Sequence, residues 1–271
     1  MTKLLLTSLF IFGCNSLIFS QGYQFIGSRS NALGGASVAL EDVWAFHHNI
    51  AGIANLKKAA AGISYENRFL LKELQSQGVA VAIPMKKGVI GIGMQTFGYN
   101  NFRSFRTGVG YALALTEFLS MGVEMNHHFI GINAYYGNYQ TVSGEIGLLA
   151  KVTEEWKIGF SIVNLTRNKI SEFREDRLTT IMRLGTNYRI SNSVTFLAEV
   201  EKDVEHPVRA KIGFEYLPVE NMYIRGGFAV QPVEFTFGAG YAFKGKYRLD
   251  LGSAYRQIIG WSPNASFTVQ F

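Results

Sequence analysis

The sequence predicts an all-β fold: a transmembrane, antiparallel, up-and-down β-barrel of about 14 strands with an N-terminal hatch segment. Three observations carry this expectation. Apolar and polar residues alternate with a period of two from about residue 58 to Phe271, the pattern of strands with one apolar and one polar face. The alternating runs are about ten residues long, which matches a tilted membrane span of ~9–11 residues and exceeds the ~5–6 usual in soluble sheets. Aromatic residues crowd the ends of the runs, at Trp156, Tyr188, Tyr216, Tyr223, Phe243, Tyr247 and Trp261, where barrels carry interfacial girdles.

Composition narrows the class further. The 271 residues are 48% hydrophobic and 17% charged, with 29 Gly and a single Cys. Such a chain has enough apolar surface to order itself. One Cys excludes a disulfide framework. The absence of a Gly period and of sustained heptads excludes collagen and coiled coil. A net charge of +6 gives general affinity for anionic surfaces and offers no support for nucleic-acid binding.

Residues 1–20 read as a secretory signal peptide. Lys3 supplies the positive start, Leu4 to Phe19 the apolar stretch, and Ser20 a small residue before Gln21. A lipidated Cys14 is the alternative; Phe12 before Gly13 fits it poorly. No later run of ~18 apolar residues follows. Residues 21–56 form the hatch or plug, and residues 57–271 the barrel. The expected strands are 58–67, 76–84, 88–98, 106–116, 118–127, 141–152, 155–164, 179–190, 193–202, 207–216, 220–230, 232–243, 246–256 and 263–271. Short turns near 85–87, 117, 153–154, 191–192, 217–219 and 244–245 alternate with longer connections near 68–75, 99–105, 128–140, 165–178, 203–206 and 257–262. The link at Gln231 and Pro232 is the exception. That alternation is the rule for barrels with both termini on the periplasmic side.

The polar faces divide into two walls. Early strands present Gly62, Gly91, Gly93, Gly108, Gly110, Ala112 and Ala114, small enough for another backbone to approach. Later strands present Arg183, Arg189, Glu199, Glu201, Arg209, Lys211, Glu215, Arg225, Glu234, Arg248 and Asp250. A hairpin centred near Glu205 sets Glu199 opposite Lys211 and Glu201 opposite Arg209, pairs that stabilise a sheet by roughly 0.2–1 kcal/mol each. The hatch is expected to pack on the small wall and face the charged one. The charges serve either as a stabilised polar interior or as an ion or solute path.

Motifs for phosphate loops, zinc proteases, serine hydrolases and dinucleotide binding are absent. Ser120, Glu124 and His128 share one face, but Ser120 and His128 lie roughly 25 Å apart along a strand at ~3.3 Å per residue, too far for a dyad. No enzymatic activity, cofactor or metal is expected. His47 and His48 suit a contact of the hatch better than metal ligation. The loop with Arg167, Lys169, Glu172, Arg174, Glu175, Asp176 and Arg177 reads as solvated and external, close to lipopolysaccharide.

The run from Gly27 to Ala39, followed by Asp42 to Ala54 with Asn49-Ile50-Ala51-Gly52-Ile53, resembles the N-terminal signature of the PorV/PorQ group within the FadL-like outer-membrane barrels. Ile50 stands where that group commonly has Pro. The alternating end of the chain, Phe267, Val269 and Phe271, resembles the insertion signal of bacterial outer-membrane barrels, which implies the barrel-assembly machinery as a partner in biogenesis and outer-membrane lipid as the surroundings. The resemblance implies a fourteen-stranded barrel with an inward-folded hatch and two functions. One is a conduit or binder for small hydrophobic molecules. Its apolar pocket would lie among Trp44, Phe46 and the external aromatics Tyr99, Phe102, Phe105, Tyr135 and Tyr136, beside His47, His48 and Asn49; the interfacial girdle is the alternative role for those external aromatics. The other is a closed partner protein of the type IX secretion apparatus, working through its external loops.

Overall fold

The computed structural model describes residues 26–99, 101–132, 137–168, 177–204 and 206–271. The expected signal peptide with Cys14, the first residues of the expected hatch, Tyr135, Tyr136, and the loop charges from Lys169 to Asp176 lie outside the described residues.

Fourteen strands close into one antiparallel barrel in which each strand pairs with its chain neighbours and β1 pairs with β14. They are β1 (Ala60–Asn67), β2 (Gln75–Pro84), β3 (Val89–Tyr99), β4 (Phe102–Ala114), β5 (Leu119–Ile132), β6 (Asn138–Lys151), β7 (Trp156–Val163), β8 (Ile181–Arg189), β9 (Val194–Asp203), β10 (Arg209–Tyr216), β11 (Met222–Ala229), β12 (Glu234–Phe243), β13 (Tyr247–Arg256) and β14 (Gly260–Gln270). Closure removes every sheet edge. The amide of Phe271 bonds the Ala59 carbonyl at 2.9 Å, so the last residue completes the seam beside the first strand. Ala59 and Phe271 mark what is called here the terminal end of the barrel; the opposite end is the loop end.

Alternation puts a continuous apolar surface outside. Ile63, Val109, Met125, Leu184, Phe237, Tyr241 and Leu251 are exposed, as are Phe271 at the terminal end and Trp261 at the loop end. Such a belt is the lipid-facing surface of a membrane-spanning barrel. Among the described residues no helix is long and apolar enough to cross a membrane.

The strands are unequal. β4, β5 and β6 have 13, 14 and 14 residues, whereas β10 and β11 have 8 each. The connections expected at 99–105, 128–140 and 257–262 are therefore much shorter: β3 runs to Tyr99 and β4 starts at Phe102, β5 runs to Ile132 and β6 starts at Asn138, and β14 starts at Gly260. Residues 138–145 of β6 pair with β5 and not with β7, which joins only at Ile146. The β4–β6 sheet thus overhangs the loop end by roughly 26 Å along the strands, taking ~3.3 Å per residue.

Residues 26–56 lie inside. They contain α1 (Ser28–Ala32) and two 3-10 turns, Val43–His47 and Ile50–Ile53, each opened by a side-chain cap: Asp42 accepts from the Trp44 amide and Asn49 from the Ala51 amide. Those caps replace the intrahelical acceptors that a helix start lacks. Nearly every residue from Ile26 to Ala54 is buried.

Candidate functional site

The lumen holds two kinds of surface, and the segment meets both. On β1–β4 the contact is apolar. Trp44, Phe46, Ile50 and Ile53 form one buried cluster with Ala60, Ala80, Ala82, Val89 and Ala112. Wall glycines make this approach close. A Cβ on Gly93 would stand 2.2 Å from the Phe46 ring, one on Gly91 2.5 Å from it, and one on Gly62 2.6 Å from the Trp44 ring. Gly34 of the segment has φ +68°, and a side chain there would meet the Ile212 carbonyl at 2.7 Å; that backbone and that space suit glycine alone.

On β8–β13 the contact is ionic. The Glu199 carboxylate accepts from the Ser37 and Val38 amides at 2.7 and 2.8 Å while Lys211 binds its other oxygen at 2.8 Å. Arg29 grips Glu215 at 2.7 Å and Asp42 at 3.0 Å. Burial works against the charged form of Arg29, but Glu215 and Asp42 outweigh it and raise its pKa. Arg225 joins Glu215 to Asp250 at 2.6 and 2.7 Å, and Arg183 donates to the His48 carbonyl at 3.2 Å. Lys157 pairs with Glu41 at the terminal end.

The expected strand register is the observed one: Glu199 lies opposite Lys211 and Glu201 opposite Arg209. The ion pairs do not all follow it. Glu201 takes Lys211 at 2.7 Å and Arg183 at 3.0 Å, while Arg209 reaches Glu234 at 3.5 Å. Long side chains bridge diagonally across a tilted barrel wall, which facing positions alone do not reveal. Arg189 is a correction. It shares the inward parity but lies at the terminal end, half-exposed and 3.8 Å from Glu155, so it belongs to the rim rather than to the lumen wall.

The histidines hold the segment in place. His47 Nε2 donates to the Val79 carbonyl at 2.9 Å, which leaves Nδ1 to accept from Arg106 at 3.0 Å. His48 Nε2 donates to the Ile26 carbonyl at 2.8 Å. Burial, with the charge of Arg106, lowers the His47 pKa well below the usual value. Burial, with the charge of Arg183, brings His48 to about 3. Asn49 Nδ2 donates to the Val38 and Leu148 carbonyls at 2.7 and 3.0 Å, tying the segment to itself and to β6.

The expected apolar pocket is not assembled as an open space. Trp44 and Phe46 are 2% and 1% exposed, their rings filling the gaps over the wall glycines, and Trp44 Nε1 donates to Thr268. Phe105 is a second correction. It faces outward against Phe129, with ring centroids 6.1 Å apart, and belongs to the outer face rather than the lumen. Phe102 faces inward and meets Phe97 edge-on at 6.4 Å; Tyr99 shares that inward parity at the loop end of β3. A cavity of about 20 Å³, room for about one water, lies nearer the opposite wall, lined by Asn31, Glu66, Arg68, Arg209, Glu234 and Arg256.

Sequence reasoning missed Arg29, Asp42 and Arg106. Arg29 is the one cation in a run of small residues, and Asp42 precedes an amide two positions on, the spacing of a turn-capping carboxylate. Those were the available signals. Arg106 sits two residues from the glycines of the small wall, with nothing local to mark it.

These features define a class: a closed fourteen-stranded barrel with its N-terminal segment packed in the lumen. Several solved structures resemble this fold. The toluene transporter TbuX of Ralstonia pickettii has a TM-score of 0.73 and 12% identity, over 92% of this chain and 99% of that one. The CymD monoaromatic hydrocarbon channel has a TM-score of 0.71 and 11% identity, over 92% and 99%. A FadL homologue of Pseudomonas aeruginosa has a TM-score of 0.58 and 11% identity, over 90% and 96%. Likeness at this identity is likeness of fold. No family model and no curated protein matches the chain.

Proposed function

We propose that this protein is an outer-membrane channel for small hydrophobic molecules, with the segment from residue 21 to 56 as its hatch. One observation carries the reading: toward β8–β13 the segment is fixed by ion pairs and directed hydrogen bonds, whereas toward β1–β4 it packs mainly through the Trp44 and Phe46 rings over glycines, with polar contacts at Gly27 and His47. The Phe46 ring can swing without breaking a hydrogen bond and Trp44 by giving up only its bond to Thr268, so the apolar seam is where an apolar solute would pass while the ionic anchors stay made. Trp44 and Phe46 are the gating rings, and the inward Phe97 and Tyr99 of β3 and Phe102 of β4, at the loop end, receive the solute. The fold likeness to a toluene transporter and a monoaromatic hydrocarbon channel supports the same reading. In it, residues 1–20 direct export, the terminal end faces the periplasm, Phe267, Val269 and Phe271 engage the assembly machinery, and the loop end faces lipopolysaccharide.

Native mass spectrometry of protein purified from its own outer membrane in mild detergent tests the proposal. A retained small hydrophobic molecule is the expected result. Co-purified secretion components with an empty lumen would overturn it in favour of a type IX secretion partner. Deleting residues 22–56 should also raise ion conductance in a planar bilayer; unchanged conductance removes the hatch.

A further inference from the structure

The terminal end of the barrel is divided by charge. On the arc from β5 to β9 every basic side chain near the turns has a carboxylate partner: Lys151 with Glu154 at 2.6 Å, Lys157 with Glu41, and Arg189 with Glu155 at 3.8 Å. The arc formed by β12, β13, β14, β1, β2 and β3 is different. Lys57 and Lys58 precede β1, Lys86 and Lys87 make the β2–β3 turn, and Lys244 and Lys246 make the β12–β13 turn. All six are exposed. Their three positions carry no Asp or Glu, and among the described residues none of the six makes an ion pair.

Directly beneath this bare cationic arc the outer surface is strongly apolar. Tyr241, Phe243, Tyr247 and Phe267 face outward and stack in a row, with centroids 6.2, 5.1 and 6.0 Å apart and ring planes within 24° of parallel. Met85 and Phe271 are 54% and 70% exposed beside it. The turns are short, so the lysines stay level with the strand ends. They cannot reach far from the membrane surface, but their flexible stems can bring an ammonium to headgroup depth.

We propose that this arc is a binding site for anionic glycerophospholipid, with lysine ammonium groups on the headgroup phosphate and acyl chains lying along the aromatic row. Juxtamembrane lysines attract anionic lipid additively, and six on neighbouring strands, with no Asp or Glu in their turns, concentrate that attraction on one flank. A soluble acidic partner fits less well, because the apolar row beside the lysines would face lipid rather than that partner. The inference rests on the membrane-spanning reading.

The test uses the full chain in nanodiscs of phosphatidylcholine with a minor share of phosphatidylglycerol. Retention of the protein in the bilayer through an alkaline wash checks the membrane-spanning reading separately. Native mass spectrometry of protein released from the discs then counts bound lipid. Phosphatidylglycerol should be enriched about tenfold or more over its share, and the variant K86Q/K87Q/K244Q/K246Q should bring that to near parity. The control K72Q/K202Q, at the loop end, should keep it. Equal enrichment in both variants overturns the proposal. So does an acidic protein that co-purifies with the wild type and is lost from the lysine variant while lipid enrichment stays unchanged.

Discussion

The two walls of the lumen hold the same segment by opposite means. β1–β4 hold it mainly by shape: rings over glycines, contacts without direction that tolerate sliding, with His47 on Val79 and Arg106 as the directed exception. β8–β13 hold it by charge: Glu199 on two amides and Lys211, Arg29 on Glu215 and Asp42, each with a fixed geometry. Packing alone would leave the segment free to shift in register, because a dispersion contact has no preferred partner. Buried ion pairs contribute little net stability, but they penalise every misplaced arrangement heavily. The ionic wall therefore sets position, and the glycine wall sets how near the rings lie.

This contrast can be broken most severely at Glu199. Glu199→Ala leaves two buried amides without an acceptor and Lys211 with one partner fewer, and should cost about 3–5 kcal/mol. Amide exchange at residues 35–40 should rise by orders of magnitude while the strands stay protected. Next comes the glycine wall. Gly93→Val drives a side chain into the Phe46 ring and should cost about 1–3 kcal/mol by overpacking, read as a lower midpoint in urea unfolding. Exchange at residues 35–40 should stay near wild type, since the ionic anchors are intact.

A smaller effect of opposite sign is expected on β5. Glu124 and Glu145 face each other across β5 and β6, and neither Glu124 oxygen receives a hydrogen bond of normal geometry among the described residues. Glu124→Gln removes that opposition and should stabilise the barrel by about 1–2 kcal/mol, seen as a higher thermal midpoint. The mildest lever is pH. His47 and His48 are held neutral in the docked segment and bind protons once released. Acidification from pH 6.5 toward about 3 therefore favours release, and stability present above 6.5 is lost across that window. Protection of the amides at residues 44–50, taken relative to their intrinsic exchange at each pH, should fall with acid, and H47Q/H48Q should make the slope shallower.

The barrel was legible because membrane and lumen impose a two-residue period on every span. All fourteen strands and the Glu199–Lys211 register follow from it. It fails where the overhang begins. Beyond the membrane the outer face need not be apolar, so Arg103 and His127 stand outside while Phe102 and Ile130 stand inside, and the alternation loses its sign. The segment was legible as small and inward-packed, but not in its contacts. Arg29 and Glu215 are 186 residues apart, and no local pattern joins them. The same limit applies to Arg106, which reaches His47 from β4. Phe105 was grouped with Phe102 by type, and only strand parity separates them.

The seam between β14 and β1 has a consequence in time. The Ser28 amide bonds Ser266 and the Trp44 indole bonds Thr268, contacts spanning 238 and 224 residues. The entropic cost of closing such long loops grows only by about 0.6 kcal/mol per doubling, so distance is not the obstacle. Order is. The first thirty residues of the described chain cannot complete their contacts until the last strand has been made, and the last strand cannot seal without closing over them. Docking and sealing are then one late step of assembly, and a truncation that removes β14 should leave the segment undocked as well as the wall open.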